Sequence, residues 1–226
     1  VDLEMEKVNT IIAKIESDPE TEEVKRTELS LWKKIKTKAI EGRRTGVGIT
    51  AEGDMLAALN YQYGTPEATS FSTDIHKKLA LAAYRSSVDM ARDRGSFPVY
   101  DSIREEKNPM INRIKDADPA LYEDMVKYGR RNIALLTIAP TGTTSLMTQT
   151  SSGIEPVFMV SYKRRRKVNP NDKKVKVDFV DEVGDSWEEY HVFHHKFVTW
   201  LEVNGYDKSE VESMSAEDLQ KVVAKS

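Results

Sequence analysis

Cysteine is absent from all 226 residues, which excludes disulfides, thiolate metal sites and a thiol nucleophile, and leaves the redox compartment open. No apolar run approaches the ~20 residues of a membrane span. The amino end, VDLEMEKV, is acidic where a secretory leader would be basic and then apolar, so a cytoplasmic protein without a membrane partner is expected. Neither charge sign is in excess. With 34 basic and 37 acidic side chains the net charge is −3, which gives no general pull toward nucleic acid or an anionic surface. Internal repeats and low-complexity tracts are also missing. The chain starts on Val1 without an initiator Met, the expectation being an excerpt of something longer. What is present is an apolar fraction of 39%, enough for a sizeable core in one domain.

The stretch that organises the chain is 132–158, NIALLTIAPTGTTSLMTQTSSGIEPVF. Its apolar run at 133–138 is too short for an ordinary helix and is bounded by Arg131 and Pro140, which predicts a strand buried on both faces, as in parallel sheets. Pro140 ends the pairing. Gly142 then permits close backbone approach or positive φ, and Thr141, Thr143, Thr144 and Ser145 crowd hydroxyls around it ahead of Leu146 and Met147. A helix start with a glycine and four hydroxyls suits a phosphate, because the first N–H groups are unpaired and the macrodipole is positive there. The same residues also suit an ordinary strand-to-helix connection in which one hydroxyl caps the helix. The Gly-Lys-Ser/Thr ending of the ATPase phosphate loop is not matched.

Taken in order, Val8, Ile11, Ile12 and Ile15 predict a first helix that stops near Asp18-Pro19. Val24, Leu31, Trp32, Ile35 and Ala39 predict the buried stripe of a second helix, ended by Gly42. Gly46 and Gly48 lie in a short strand-like run at 45–50, where tight packing at a strand end outweighs a nucleotide reading, since a third glycine is lacking. Helix resumes at 55–59. Ser72, Thr73 and Asp74 are candidate caps for a long helix from Ile75 to about Arg94, closed by Gly95, with Ile75, Leu79, Ala82, Ala83 and Met90 as its apolar positions. His76 there has no second histidine at ligand spacing and reads as a surface or capping residue. Asn108-Pro109 and Asp118-Pro119 punctuate the next stretch, and 121–127 is a short helix feeding Gly129.

Beyond the turn, 159–168 and 174–180 flank Asn169-Pro170-Asn171-Asp172 and predict a β-hairpin. Residues 163–176 carry a net +7, and 178–189 carry −6. Alone the first would suggest nucleic acid; together they favour internal pairing or a subunit contact. His191, His194 and His195 share a face if helical, but no carboxylates at ligand spacing accompany them, so no metal site is expected. Helices are expected at 194–203 and from Ser215, where Asp218 can complete a capping box.

The strings GRRTGVGIT, APTGTTSL and SSGIEPVF, in that order, together closely resemble ribonucleotide reductase large subunits, most of all the adenosylcobalamin-dependent class. The similarity runs from about Ala39 to the carboxyl end. The resemblance implies an α/β fold, part of a ten-stranded α/β barrel of parallel strands with connecting helices, plus the β-hairpin, all within one partial barrel domain over 1–226. It implies a ribonucleoside-diphosphate reductase making deoxyribonucleotides by radical chemistry. The family's substrate-diphosphate loop falls on Pro140, Thr141, Gly142, Thr143 and Thr144, and Gly153, Ile154, Glu155 and Pro156 match the supporting segment. Adenosylcobalamin is the implied cofactor; ribonucleotide, the remaining cysteine-bearing polypeptide and an external dithiol reductant such as thioredoxin are the implied partners. The departure is large, because the family's radical cysteine and reducing pair have no counterpart here. No catalytic residue is therefore expected in this chain, which looks like an internal piece of the subunit, inactive alone. The alternative is a non-enzymatic binding module whose basic hairpin 163–176 contacts RNA or a protein partner.

Overall fold

Residues 1–169, 171–172 and 175–226 are described by a computed structural model. Helix starts follow local chemistry closely. Asn108 and Asp118 accept the N–H groups of Met110 (3.0 Å) and Leu121 (2.9 Å), and the prolines behind them take the first helical position, opening α6 (Pro109–Ala117) and α7 (Pro119–Tyr128). Asp101 caps the short α5 (Ser102–Glu105) in the same way. The long helix α4 (Pro66–Arg94) begins well before Ile75, since Thr65 caps it and Pro66 presets its first turn. Ser72, Thr73 and Asp74 therefore lie inside the helix. Its buried stripe runs through Ala80, Tyr84, Val88 and Ala91 rather than the expected Ala82, Ala83 and Met90.

The amino end is a helical pair, α1 (Asp2–Ser17) and α2 (Glu22–Gly42). Met5, Val8 and Ile15 are buried on α1 as its spacing predicts, but Val24, Leu31 and Ile35 of α2 stay exposed. The partly buried side of α2 runs through Lys25, Leu29, Trp32, Lys36 and Ala39, so the packed face is turned from the expected stripe and shares only Trp32 and Ala39 with it. Arg43, in the left-handed region at φ 47°, caps α2 one residue after Gly42.

Helices α4, α6 and α7 enclose the main core, in which Tyr84, Val88, Ile111, Ile114, Leu121 and Met125 pack with Leu135. Burying side chains such as Ile114 and Leu121 contributes about 1.5–3 kcal/mol each. Leu135 belongs to the predicted central strand, which runs extended beside 45–48. Val47 N–H donates to the Leu135 carbonyl at 2.7 Å, Thr137 N–H to the Val47 carbonyl at 3.0 Å, and the bridge between them is parallel. The two predicted strands are thus neighbours with the predicted polarity. They form a single bridge rather than a sheet, however, and only the Leu135 side is buried; Ile138 is 62% exposed. A strand of a buried parallel sheet needs partners on both edges and cover on both faces. The described residues supply one of each, so they contain two barrel-like segments and not ten strands. The short α3 (Glu52–Ala58) follows the first segment and α8 (Gly142–Thr148) the second.

The sole sheet among the described residues is antiparallel, with order β1-β3-β2, formed by β1 (Ser161–Lys167), β2 (Phe179–Val180) and β3 (Ser186–Phe193). This corrects the expected hairpin. Strand β1 pairs with β3, not with 174–180, and the hairpin is the β2–β3 one, turned by Asp181, which accepts the N–H groups of Val183 and Asp185. Charge explains the choice: the basic run 163–167 of β1 beside Lys176 would oppose like charges, whereas β3 sets Glu189 against Arg165 and Glu188 against Arg166, at 2.7 and 2.8 Å. Such exposed pairs are worth only about 0–1 kcal/mol each, so they select register more than they stabilise. Pro170 of the expected turn, and Lys173 and Lys174 of the basic run, lie outside the described residues.

The carboxyl end, α9 (His195–Val203), α10 (Lys208–Ser213) and α11 (Ala216–Val223), closes a second core of Phe197, Leu201, Val211, Leu219 and Val222. Ser215 accepts the Asp218 N–H at 3.2 Å, as the capping pattern predicts, with the Asp218 carboxylate accepting from the Ser215 hydroxyl. No helix among the described residues is long and apolar enough to cross a membrane.

Candidate functional site

Helix α8 starts two residues after Pro140. Its first internal bond runs from Ser145 N–H to the Thr141 carbonyl at 2.8 Å, which leaves the N–H groups of Gly142, Thr143 and Thr144 without intrahelical acceptors. All three residues are exposed. Thr143 and Thr144 therefore present hydroxyls beside three open N–H groups, a donor array for an oxyanion with no cationic side chain among 140–145. Ser145 is buried instead, its hydroxyl donating back to the Gly142 carbonyl at 2.8 Å. Gly142 is not at positive φ, and a Cβ built on it meets nothing within 4 Å. Neither positive φ nor crowding by another part of the protein therefore requires a glycine there.

Thr141 does not cap α8 with its side chain. It is tied sideways: its N–H and hydroxyl both donate to the Ser152 carbonyl, at 3.0 and 2.5 Å. Thr141 Oγ1 also lies 2.7 Å from Thr50 Oγ1, which is itself 3.2 Å from the Ser151 carbonyl oxygen. Thr50 begins a clasp that runs to Asp54. Ala51 N–H donates to the Ser151 carbonyl and Glu52 N–H to the Gly153 carbonyl, each at 3.1 Å, and Asp54 Oδ2 accepts the Ser151 N–H at 3.0 Å. Gly53 presses closest, since a Cβ on it would lie 2.6 Å from the Glu155 carbonyl oxygen. Ser152 thus ties to Thr141 just ahead of α8, whereas Gly153, Glu155 and Pro156 lie against residues 52 and 53. Sequence reasoning does not single out Thr50 or Asp54; the only signal is their place just after a strand-like run, where site residues gather.

The paired glycines upstream have a packing role. A Cβ on Gly48 would lie 2.3 Å from the Thr137 carbonyl oxygen, and one on Gly46 2.8 Å from Thr137 Cγ2. Just ahead of the second segment, Arg130 is 2% exposed, clamps Glu105 at 2.9 and 3.0 Å, and donates to the Asn132 carbonyl at 3.0 Å. Burial beside that pair raises the Tyr84 hydroxyl above its usual value.

His76 caps no helix, and its side chain is partly exposed. Its Nε2 lies 2.7 Å from Glu52 Oε2, and Ser72 donates to Glu52 Oε1 at 2.5 Å, so the carboxylate, 4% exposed, has both oxygens engaged. His76 and Glu52 border an apolar cleft of about 990 Å³ that also includes Leu56, Met110, Leu136 and Ile138. The three clustered histidines do not share a helix face, because His191 is on β3, His194 precedes α9 and His195 opens it. Burial, and then the neighbouring His195, lower the His194 pKa.

The family model described as "Ribonucleotide reductase, barrel domain" matches residues 22–222. A "Vitamin B12-dependent ribonucleoside-diphosphate reductase" of Mycobacterium tuberculosis is 31% identical over 122 residues, 54% of this chain and 15% of the relative. A protein of the same description from Thermoplasma acidophilum is 29% identical over 122 residues, 54% of this chain and 14% of its own length. The "Ribonucleoside-diphosphate reductase subunit alpha" of Chlamydia pneumoniae is 30% identical over 135 residues, covering 51% and 13%. The chain thus spans about one-seventh of the length of the curated relatives it matches.

Proposed function

Because the chain belongs to the ribonucleotide reductase barrel-domain family, we propose that it supplies the substrate-diphosphate loop of a ribonucleoside-diphosphate reductase completed by further polypeptide. In this reading the loop of Pro140, Thr141, Gly142, Thr143 and Thr144 surrounds the diphosphate, with Gly142, Thr143 and Thr144 donating to it, Thr141 tying the loop to Ser152, and 151–156 as support. The observation that carries it is the row of three open N–H groups and two exposed hydroxyls at the start of α8. The two parallel segments, 45–48 and 133–137, are then adjacent strands of the ten-stranded barrel, and the uncovered face at Ile138 is where the rest of the barrel closes. The whole of 1–226 counts as one partial barrel domain. A cytoplasmic setting goes with deoxyribonucleotide supply for DNA synthesis.

The chain has no cysteine to carry a radical or deliver reducing equivalents, so those steps fall to the complementing polypeptide and an external dithiol such as thioredoxin. Adenosylcobalamin, in keeping with the B12-dependent relatives, is the cofactor of the complete enzyme, where it supplies the initiating radical. Less favoured is the alternative of a basic hairpin contacting RNA or a protein partner, since Arg165, Arg166 and Lys167 are each paired with an acidic residue on β3 or just before it.

The test is diphosphate binding in the reassembled enzyme. Thr143→Ala and Thr144→Ala should each remove one hydroxyl bond to a charged group, about 1.5–3 kcal/mol, which lowers affinity roughly tenfold to hundredfold. Neutralising Arg164 and Arg165 should leave binding nearly intact. The opposite pattern, with the arginine changes abolishing binding and the threonine changes silent, would put the site on another loop.

A further inference from the structure

We infer that Glu52, held by Ser72 and His76 of α4, is a positioning residue for the phosphate cradle, an inference that rests on the reading of 140–144 as the diphosphate loop. The cradle has little of its own to hold it. Helix α8 is seven residues long, its N-cap side chain makes no capping bond, and all of its residues but Ser145 are exposed. Its fixed points are the bonds from 50–54 to 141 and 151–153, and that clasp needs an anchor in turn.

The clasp contains a strained residue. Ala51 sits in the left-handed region, φ 65° and ψ 27°, with a Cβ and no side-chain hydrogen bond to favour it there. A non-glycine residue stays in that region only where its surroundings over-determine it. On one side Ala51 N–H is bonded to the Ser151 carbonyl. On the other side comes Glu52, the first residue of α3, buried with one oxygen on Ser72 and the other on His76. A buried carboxylate is tolerated only when paired, so this one cannot move without carrying its partners or exposing its charge. The helix start it occupies also favours a negative charge. Thus the 29-residue α4, packed in the main core, is linked through one carboxylate to the residue whose N–H bonds the Gly153 carbonyl. The cradle inherits the rigidity of α4.

This arrangement is not a nucleophilic triad. Ser72 and His76 both bond the carboxylate rather than each other, so the histidine is not set to take the serine proton as a triad requires. Glu52 makes no hydrogen bond to Thr143 or Thr144, and its effect on a diphosphate runs through Ala51, Ser151 and Thr141.

The experiment is residue-resolved hydrogen exchange together with binding of inorganic pyrophosphate by the full 226-residue chain. In Glu52→Leu, which keeps bulk and removes both acceptors, the amides of Ala51, Thr141 and Ser151 should exchange about tenfold faster or more. The amides of α7 should be unchanged and pyrophosphate binding weaker. Glu52→Gln, which still offers Ser72 an acceptor and can reach His76, should stay near the parent chain. His76→Gln, at the edge of the cleft, provides a second route to the same result if Glu52→Leu does not fold. Parent-like exchange at those three amides in both Glu52→Leu and His76→Gln would overturn the inference, as would acceleration that spreads equally to α7. If the parent chain fails to bind pyrophosphate while the amides respond as expected, the diphosphate reading falls and the anchor stands.

Discussion

Substituting Gly48 and Gly142 in parallel separates packing from ligand binding, because the two glycines face opposite surroundings. At Gly48 a methyl group would sit 2.3 Å from the Thr137 carbonyl oxygen, more than an ångström inside ordinary contact at 3.4 Å. The obstacle is backbone, so it yields only if the two parallel segments part. Parting them strains the bonds that flank the contact, Val47 N–H to the Leu135 carbonyl at 2.7 Å and Thr137 N–H to the Val47 carbonyl at 3.0 Å. Overpacking of this kind costs about 1–3 kcal/mol, and weakening a backbone hydrogen bond about 0.5–1.5 kcal/mol, so Gly48→Ala should destabilise by about 2–4 kcal/mol. For a chain of this size that is a fall of roughly 5–15 °C in Tm. Gly142→Ala meets open space and needs no positive φ. It should leave stability unchanged or raise it by up to about 1 kcal/mol, the ordinary gain of alanine over glycine in a helix. Diphosphate binding should respond in the reverse sense under the proposed reading of 140–144, in which a phosphate fills the open space at Gly142. Thermal unfolding by circular dichroism and titration with pyrophosphate read the two properties. A neutral Gly48→Ala with a destabilised Gly142→Ala would refute the reasoning from backbone proximity.

The 226-residue chain with adenosylcobalamin, ribonucleotide and a dithiol should form no deoxynucleotide, because hydrogen abstraction at ribose needs a radical carrier that a chain without cysteine does not provide; product formed by the purified chain would end that expectation. Acid should open the β2–β3 turn. The Trp187 indole N–H on Asp181 at 2.8 Å, followed by the Asp185 N–H, holds that carboxyl below its usual value, so the folded value is depressed. Its contribution is complete above the unfolded value of about 3.9 and is lost as pH falls through the folded value. Trp187 fluorescence should therefore change on acidification below about pH 4, and less so in Asp181→Asn; a transition confined to alkaline pH would contradict it.

The parts legible in the sequence are those whose cause is local. Asn108-Pro109, Asp118-Pro119 and Ser215 start helices because a cap and its N–H group lie two or three residues apart. The parallel polarity of the runs at 45–50 and 133–138 is legible from their apolar and glycine content, and family membership from the three motif strings in order. The early start of α4 is also local, written in Thr65-Pro66, but three later cap candidates compete with it and only the helix itself shows which one acts. What the tertiary structure alone decides are the pairings of residues far apart in the chain. Strand β1 has two possible partners of similar pattern, and the acidic face of β3 settles it. Gly142 could serve positive φ or close approach, and the backbone path removes the first. Thr50 meets Thr141 across 91 residues and His76 meets Glu52 across 24. Nothing in periodicity encodes such a meeting, because it depends on where the packed helices and strands carry each side chain, and a buried carboxylate finds its partner only once the burial exists.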